Sequence, residues 1–123
     1  MSNHLTWEEV LKRDDIVNGD IQIDEDGYIL RGPINEIAIE NGYVYIRVLW
    51  MARRKINRMS VELGNVWEYC RKKFHSVSAD ILPLDIGRGR ISIVKKSDPK
   101  SWAIIYPKGD EKLDPANVRG LEI

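Results

Sequence analysis

"RGPINEIAIENGYVYIRVLW", Arg31 to Trp50, is the stretch that decides how this chain folds. It holds two β-like runs, INEIAI and YVYIRV, joined by ENG. Asn41-Gly42 is a strong hairpin signal, because both residues tolerate the positive φ of the tight turns that match strand twist. Side chains alternate across a strand. In YVYIRVLWMARR, read as the longest strand, one face therefore collects Val44, Ile46, Val48, Trp50 and Ala52. These are apolar throughout and should join Ile37 and Ile39 in a core. The opposite face collects Tyr43, Tyr45, Arg47, Leu49, Met51 and Arg53, with aromatic rings and guanidinium groups interleaved.

Working upstream, Gly32 and Pro33 interrupt an otherwise β-like run and suggest a bend or bulge, where a strand turns a corner. Before them, IQI and YIL flank DEDG, a tight turn that uses Gly27 for its positive φ. A short helix, WEEVLKRD, opens the fold. Thr6 and Glu9 make its capping box, and Leu5 and Val10 occupy the staple positions. Trp7, Val10 and Leu11 should lie over one end of the strands, and Asn18-Gly19 marks the turn that follows.

Downstream, residues 55–86 are less legible. Val66, Tyr69, Cys70 and Phe74 recur at helical spacing, with Asn65 and Glu68 as a capping pair, so a helix over NVWEYCRKKF is the favoured expectation. A strand with Trp67 and Tyr69 on one face is the alternative. RISIVKK and SWAIIYP then read as strands joined by an SDPK turn at Ser97–Lys100. The ending suggests a hairpin turn, a short strand, one 3₁₀ turn at DPANV and a final strand.

Several short strands, a corner-turning Gly-Pro and a last strand reached through a 3₁₀ turn together resemble an SH3-like or Tudor-like small barrel. The resemblance is one of topology, covers residues 16–54 and 88–123, and carries no signature motif. The expected fold is thus a single mainly β domain over 1–123 with an N-terminal helix and a partly helical insertion at about 55–87. An α+β fold with an antiparallel sheet is the alternative.

The 123 residues are 43% hydrophobic and 31% charged, which suits one globular domain that needs no disulfide or metal staple. One cysteine, Cys70, excludes an intramolecular disulfide, and two histidines, His4 and His75, give no zinc-finger spacing. No uninterrupted apolar run exceeds five residues, as in Val48–Ala52, so no membrane span is expected. The N-terminus shows neither a basic leader nor an apolar stretch of signal length, so a cytoplasmic location is expected.

Net charge is zero, but its parts are segregated: residues 1–42 hold 3 basic and 10 acidic side chains, and residues 43–100 hold 13 and 5. Either the two segments neutralise each other within the fold, or the basic one forms a polyanion-binding surface.

Catalytic chemistry finds little support. Cys70 and His75, on a helix, would point about 140° apart. DEDG lacks the ligand pattern of a calcium loop, and GRGR, Gly87 to Arg90, lacks phosphate-loop spacing. Asp80, Asp85 and Asp98 read as solvated loop carboxylates. No catalytic residue, metal site or cofactor is expected. The leading expectation is a non-catalytic binding module that contacts nucleic acid or a partner protein. Tyr43, Tyr45, Arg47, Arg53 and Arg54 would make the contact, aided by Arg88 and Arg90. The second is a structural or regulatory subunit acting through protein–protein assembly, which leaves an oligomer open, and an enzyme comes third. Whether the insertion folds over the tyrosine face is the question that the sequence leaves to the structure.

Overall fold

Gly32 sits where two stretches of backbone come almost into contact. A Cβ built on it would lie 2.0 Å from the Trp50 carbonyl oxygen, so no other residue fits without a shift. The computed structural model, which describes residues 3–56, 66–94, 102–110 and 113–121, shows what this approach achieves. Strand β2, Tyr28–Glu40, runs straight through Gly32-Pro33 and belongs to two sheets at once.

Its first half pairs with β1 (Asp20–Glu25) on one side and β4 (Met51–Lys55) on the other. Its second half pairs with β3 (Tyr43–Val48). The remaining strands extend these two cores: β5 (Trp67–Cys70), β6 (Phe74–Ser78), β7 (Leu84–Gly87), β8 (Arg90–Val94), β9 (Trp102–Tyr106) and β10 (Val118–Arg119). The large sheet has the order β10-β5-β4-β2-β1-β9-β8-β7. The small sheet consists of the end of β2, then β3, then β6. Only β10 and β5 pair in parallel among the described residues.

The fold is therefore mainly β, with two short helices among the described residues, α1 (Trp7–Leu11) and α2 (Asp14–Val17). The sheet is mixed and does not close on itself, since β7 and β10 are its two ends.

Local chemistry accounts for most of these elements. Asp26-Gly27, Asn41-Gly42 and Arg88-Gly89 all have positive φ at both positions, which makes three tight hairpin turns of the type that follows strand twist. Thr6 and Glu9 form the reciprocal capping box at the start of α1. Trp7 and Val10 of that helix are buried, and the Trp7 indole N–H donates to the Ile81 carbonyl at 2.9 Å. Asp114 caps the 3₁₀ turn Pro115–Asn117 that leads into β10. In α2, Arg13 grips Asp15 with two hydrogen bonds and holds its carboxyl below the ordinary range. That pair adds stability at neutral pH and loses it as pH falls through the lowered pKa.

One core lies between the sheets and under the helices. Ile21, Leu30, Met51, Ile91, Ile93 and Ile105 come from the large sheet, Ile37, Val44, Ile46 and Val48 from the small one. A register shift at Asn35 lets both Ile34 and Ile37 face inward, which strict alternation would forbid.

Several expectations need correction. YVYIRVLWMARR is two strands, not one, because the chain breaks at Leu49-Trp50 opposite the Gly32 corner. The alternation restarts there, so Met51 is fully buried rather than part of the tyrosine face. Ile39, placed in the core by alternation, is 39% exposed at the open end of the small sheet. The helix expected over 66–74 is instead the strand β5, a three-residue link and the start of β6. Hydrogen bonding to β4 and β3 overrides the helical spacing there. The Asn65 cap and the turn at Ser97–Lys100, with Asp98 in it, lie outside the described residues.

Gly32→Ala is expected to cost about 1–3 kcal/mol in urea unfolding, because the new methyl group must displace the Trp50 carbonyl. A variant as stable as the wild type would show that the corner is not tight.

Candidate functional site

Cross-strand register assembles the outer face of the small sheet. Glu40, Tyr43 and Ser78 form one row, Ala38, Tyr45 and Ser76 the next, and Glu36, Arg47 and Phe74 the third. Alternation turns all nine side chains away from the core. Phe74 stacks on Tyr45 with ring centroids 5.4 Å apart, and Tyr43 leans on Tyr45 at 6.4 Å. Tyr43 is 50% exposed and Phe74 43% exposed, and Leu49, just past the end of β3, is 57% exposed. Three large side chains at this face and its end thus meet water, with Tyr45 half-buried between the two exposed rings.

The described part of the insertion does not cover this face. It supplies β6, which pairs edge to edge with β3 and adds Phe74 to the ring cluster. Among the described residues, β6 pairs with β3 alone, and no described strand pairs with its other edge.

The seven expected contact residues are not brought together. Tyr43, Tyr45 and Arg47 share the face just described. Arg53 and Arg54 lie on β4 in the large sheet, on opposite sides of that strand: Arg53 sits over the Tyr28 ring at 5.2 Å and Arg54 over the Trp67 ring at 4.9 Å. Arg88 is exposed at the tip of the β7–β8 hairpin. Arg90 is held by both oxygens of Asp110, at 2.6 and 3.2 Å, and its pKa is raised by that hydrogen bonding.

Charge pairing explains much of the segregation along the chain. Arg47 meets Glu36 at 3.5 Å, and Lys72 pairs with Glu25, so the basic segment partly neutralises the acidic one. Both pairs are well exposed and each contributes little to stability.

Sequence reasoning missed Arg31 altogether. On the side of the large sheet away from the core, its guanidinium is only 4% exposed, bonds Asp20 at 3.2 Å and Gln22 at 3.3 Å, and lies 4.0 Å from the Tyr106 ring centroid. Arg90 approaches the same ring at 4.9 Å, and Arg31 Nη2 is buried without a hydrogen bond. Register alone makes this cluster, since Gln22 stands opposite Arg31 and Asp20 opposite Tyr106. Asp24, two residues further along the same side of β1, has its pKa raised because burial penalises its charge.

Chemically, the outer face of the small sheet offers stacking and apolar contact. Asp85 accepts the Gly87 N–H, and Asp80 lies exposed in a turn. Among the described residues, no group of three or more His, Cys, Asp or Glu side chains is placed to hold a metal ion. No described helix is long and apolar enough to cross a membrane. No protein family, curated protein or solved structure matches the chain.

Arg31→Met is expected to cost about 3 kcal/mol in urea unfolding, because it removes the cation that the buried Asp20 carboxylate faces. Arg88→Ala should stay within about 0.5 kcal/mol of wild type. Asp24→Asn should raise the melting temperature at neutral pH. The raised pKa means that the ionised side chain costs stability there, and the gain should vanish below the ordinary carboxylate range, where both states are protonated.

Proposed function

We propose that the protein is a non-catalytic binding module whose outer small-sheet face receives an extended segment of a partner protein. That segment would add to the edge of β6 that no described strand pairs and lay alternate side chains over Phe74, Tyr45 and Tyr43, with Leu49 at one end. Main-chain pairing supplies affinity in such an arrangement, and side-chain contact supplies selectivity. The observation that carries the reading is a cluster of three aromatic rings, Tyr43 and Phe74 exposed and Tyr45 half-buried between them, beside a strand edge that no described strand pairs. Tyrosine and phenylalanine in such clusters are what interfaces concentrate. The sharply bent ribbon serves as the scaffold, in the manner of SH3-like or Tudor-like small barrels, and one cysteine fits a reducing, cytoplasmic setting.

The charges favour protein over nucleic acid. Glu36 and Glu40 flank the rings, Arg47 is engaged by Glu36, and the remaining arginines of the expected set lie on other surfaces. A phosphate chain crossing the rings would meet carboxylates. Single-stranded nucleic acid is the second reading, favoured by the exposed cationic link Arg71–Lys73 next to Phe74.

The test pans a displayed peptide library against the protein and measures the enriched peptides by calorimetry. A Tyr43→Ala, Phe74→Ala double variant with an unchanged unfolding midpoint serves as the comparison. Binding at least tenfold weaker in the variant is expected, with slowed amide exchange along β6 in the wild-type complex. Peptides that bind both proteins equally would overturn the reading. So would tight oligonucleotide binding that falls steeply with salt and is lost in the same variant, which is the signature of phosphate contacts.

A further inference from the structure

Strand β6 has a second side, and it leads to a different site. Its outward residues are Phe74, Ser76 and Ser78, so His75 and Val77 point inward, opposite Ile46 and Val44 of β3. On the large sheet, Met51 starts β4 and stands directly opposite Cys70, the last residue of β5. Three residues, Arg71 to Lys73, then carry the chain from one sheet to the other. The Val48 N–H donates to the Lys73 carbonyl and closes this corner at 2.9 Å.

The corner brings three soft donors to the same edge of the core. His75 Nε2 lies 3.1 Å from Met51 Sδ. Cys70 packs against the core cluster that contains Met51, and directly opposed residues of an antiparallel pair have Cβ atoms about 5 Å apart. Met51 is fully buried, while Cys70 and His75 are half-buried. The thioether thus forms the inner wall, and the imidazole and thiol line the way in.

We propose that Met51, Cys70 and His75 form a binding site for one Cu(I) ion. Thiolate and thioether sulfurs select soft monovalent copper, and imidazole suits it too. Zinc prefers four ligands from cysteine, histidine and carboxylate, and among the described residues no such group is assembled. A second histidine, which copper(II) centres of the trigonal kind require, is not part of this cluster. As it stands, the His75–Met51 contact is a weak hydrogen bond to sulfur. With metal–nitrogen and metal–sulfur bonds of about 2.0 and about 2.3 Å, the two atoms must part by about half an ångström. Rotation of the flexible methionine side chain can supply that movement.

The binding step involves no change of oxidation state. Cu⁺ accepts electron pairs from Met51 Sδ, His75 Nε2 and Cys70 Sγ. The Cys70 thiol releases its proton to solvent, and on ligation the imidazole exchanges its Nε2 proton for one on Nδ1, so that the Nε2 lone pair meets the metal in place of the hydrogen bond to sulfur. Metal and thiolate charges cancel, so the corner stays compatible with the nearby cations of Arg71–Lys73.

The test is an anaerobic titration with Cu(I) against a chromophoric Cu(I) chelator, followed by X-ray absorption on the loaded protein. The wild type should withhold one equivalent, with one nitrogen and two sulfur neighbours at the metal. Met51→Leu, which conserves core volume, His75→Gln and Cys70→Ser should each weaken binding at least tenfold. Failure of the wild type to compete would overturn the proposal. So would loss of binding in Cys70→Ser alone, which would mean a bare thiol, or preferential retention of Zn(II) in mixed-metal competition. Should a variant not fold, Ag(I) titration of the wild type followed by NMR still decides. The Met51 methyl and His75 ring signals must shift together at one equivalent, and unshifted signals would overturn the site.

Discussion

The close approach of Gly32 to the Trp50 carbonyl is the constraint on which the rest of this structure depends. It allows β2 to bend and serve two sheets without a break in its own pairing. Its partner chain cannot follow so smoothly and splits at Leu49-Trp50 into β3 and β4. That split sends Tyr43, Tyr45 and Arg47 to the outside of the small sheet while Met51 enters the core and Ala52 is buried on the opposite side, beside Arg31. A side chain at position 32 would press on the Trp50 carbonyl and strain the junction between the two sheets.

The large sheet buries charge where an ordinary sheet would bury aliphatic groups. Arg31, Asp20 and Gln22 bond to one another under the Tyr106 ring, and Arg90 and Asp110 extend the group towards solvent. Such pairs seldom add net stability over an apolar replacement of equal volume, yet losing one partner is costly. The cluster therefore fixes which strands lie beside each other: only the observed register sets Gln22 opposite Arg31 and Asp20 opposite Tyr106. A slip by one residue would drive these charges into the apolar side of the sheet.

Strand β6 contributes side chains to both faces of the small sheet. Its odd and even positions face opposite sides, so Phe74 joins an external ring cluster while His75 reaches the Met51 thioether. Substitutions at Phe74 and at His75 therefore act on opposite sides of the same strand.

What the sequence by itself determined is the local chemistry: the Thr6–Glu9 capping box, the Asp26-Gly27 and Asn41-Gly42 turns, and the Asp114-capped 3₁₀ turn. The alternation that sets Tyr43 and Tyr45 against Val44 and Ile46 was legible too. Each depends on residues within a few positions of one another, so the information is contained in a short window. Only tertiary structure decided that β3 ends at Val48, because no glycine or proline marks that point and the cause, Gly32, lies on another strand. Likewise, the helical spacing of Val66, Tyr69, Cys70 and Phe74 yielded to ladders with β4 and β3. Arginines close together in sequence were scattered over different surfaces, while Asp20, Arg31 and Tyr106 were gathered from three strands. Pairing register is a property of strands in combination, and no single strand carries it.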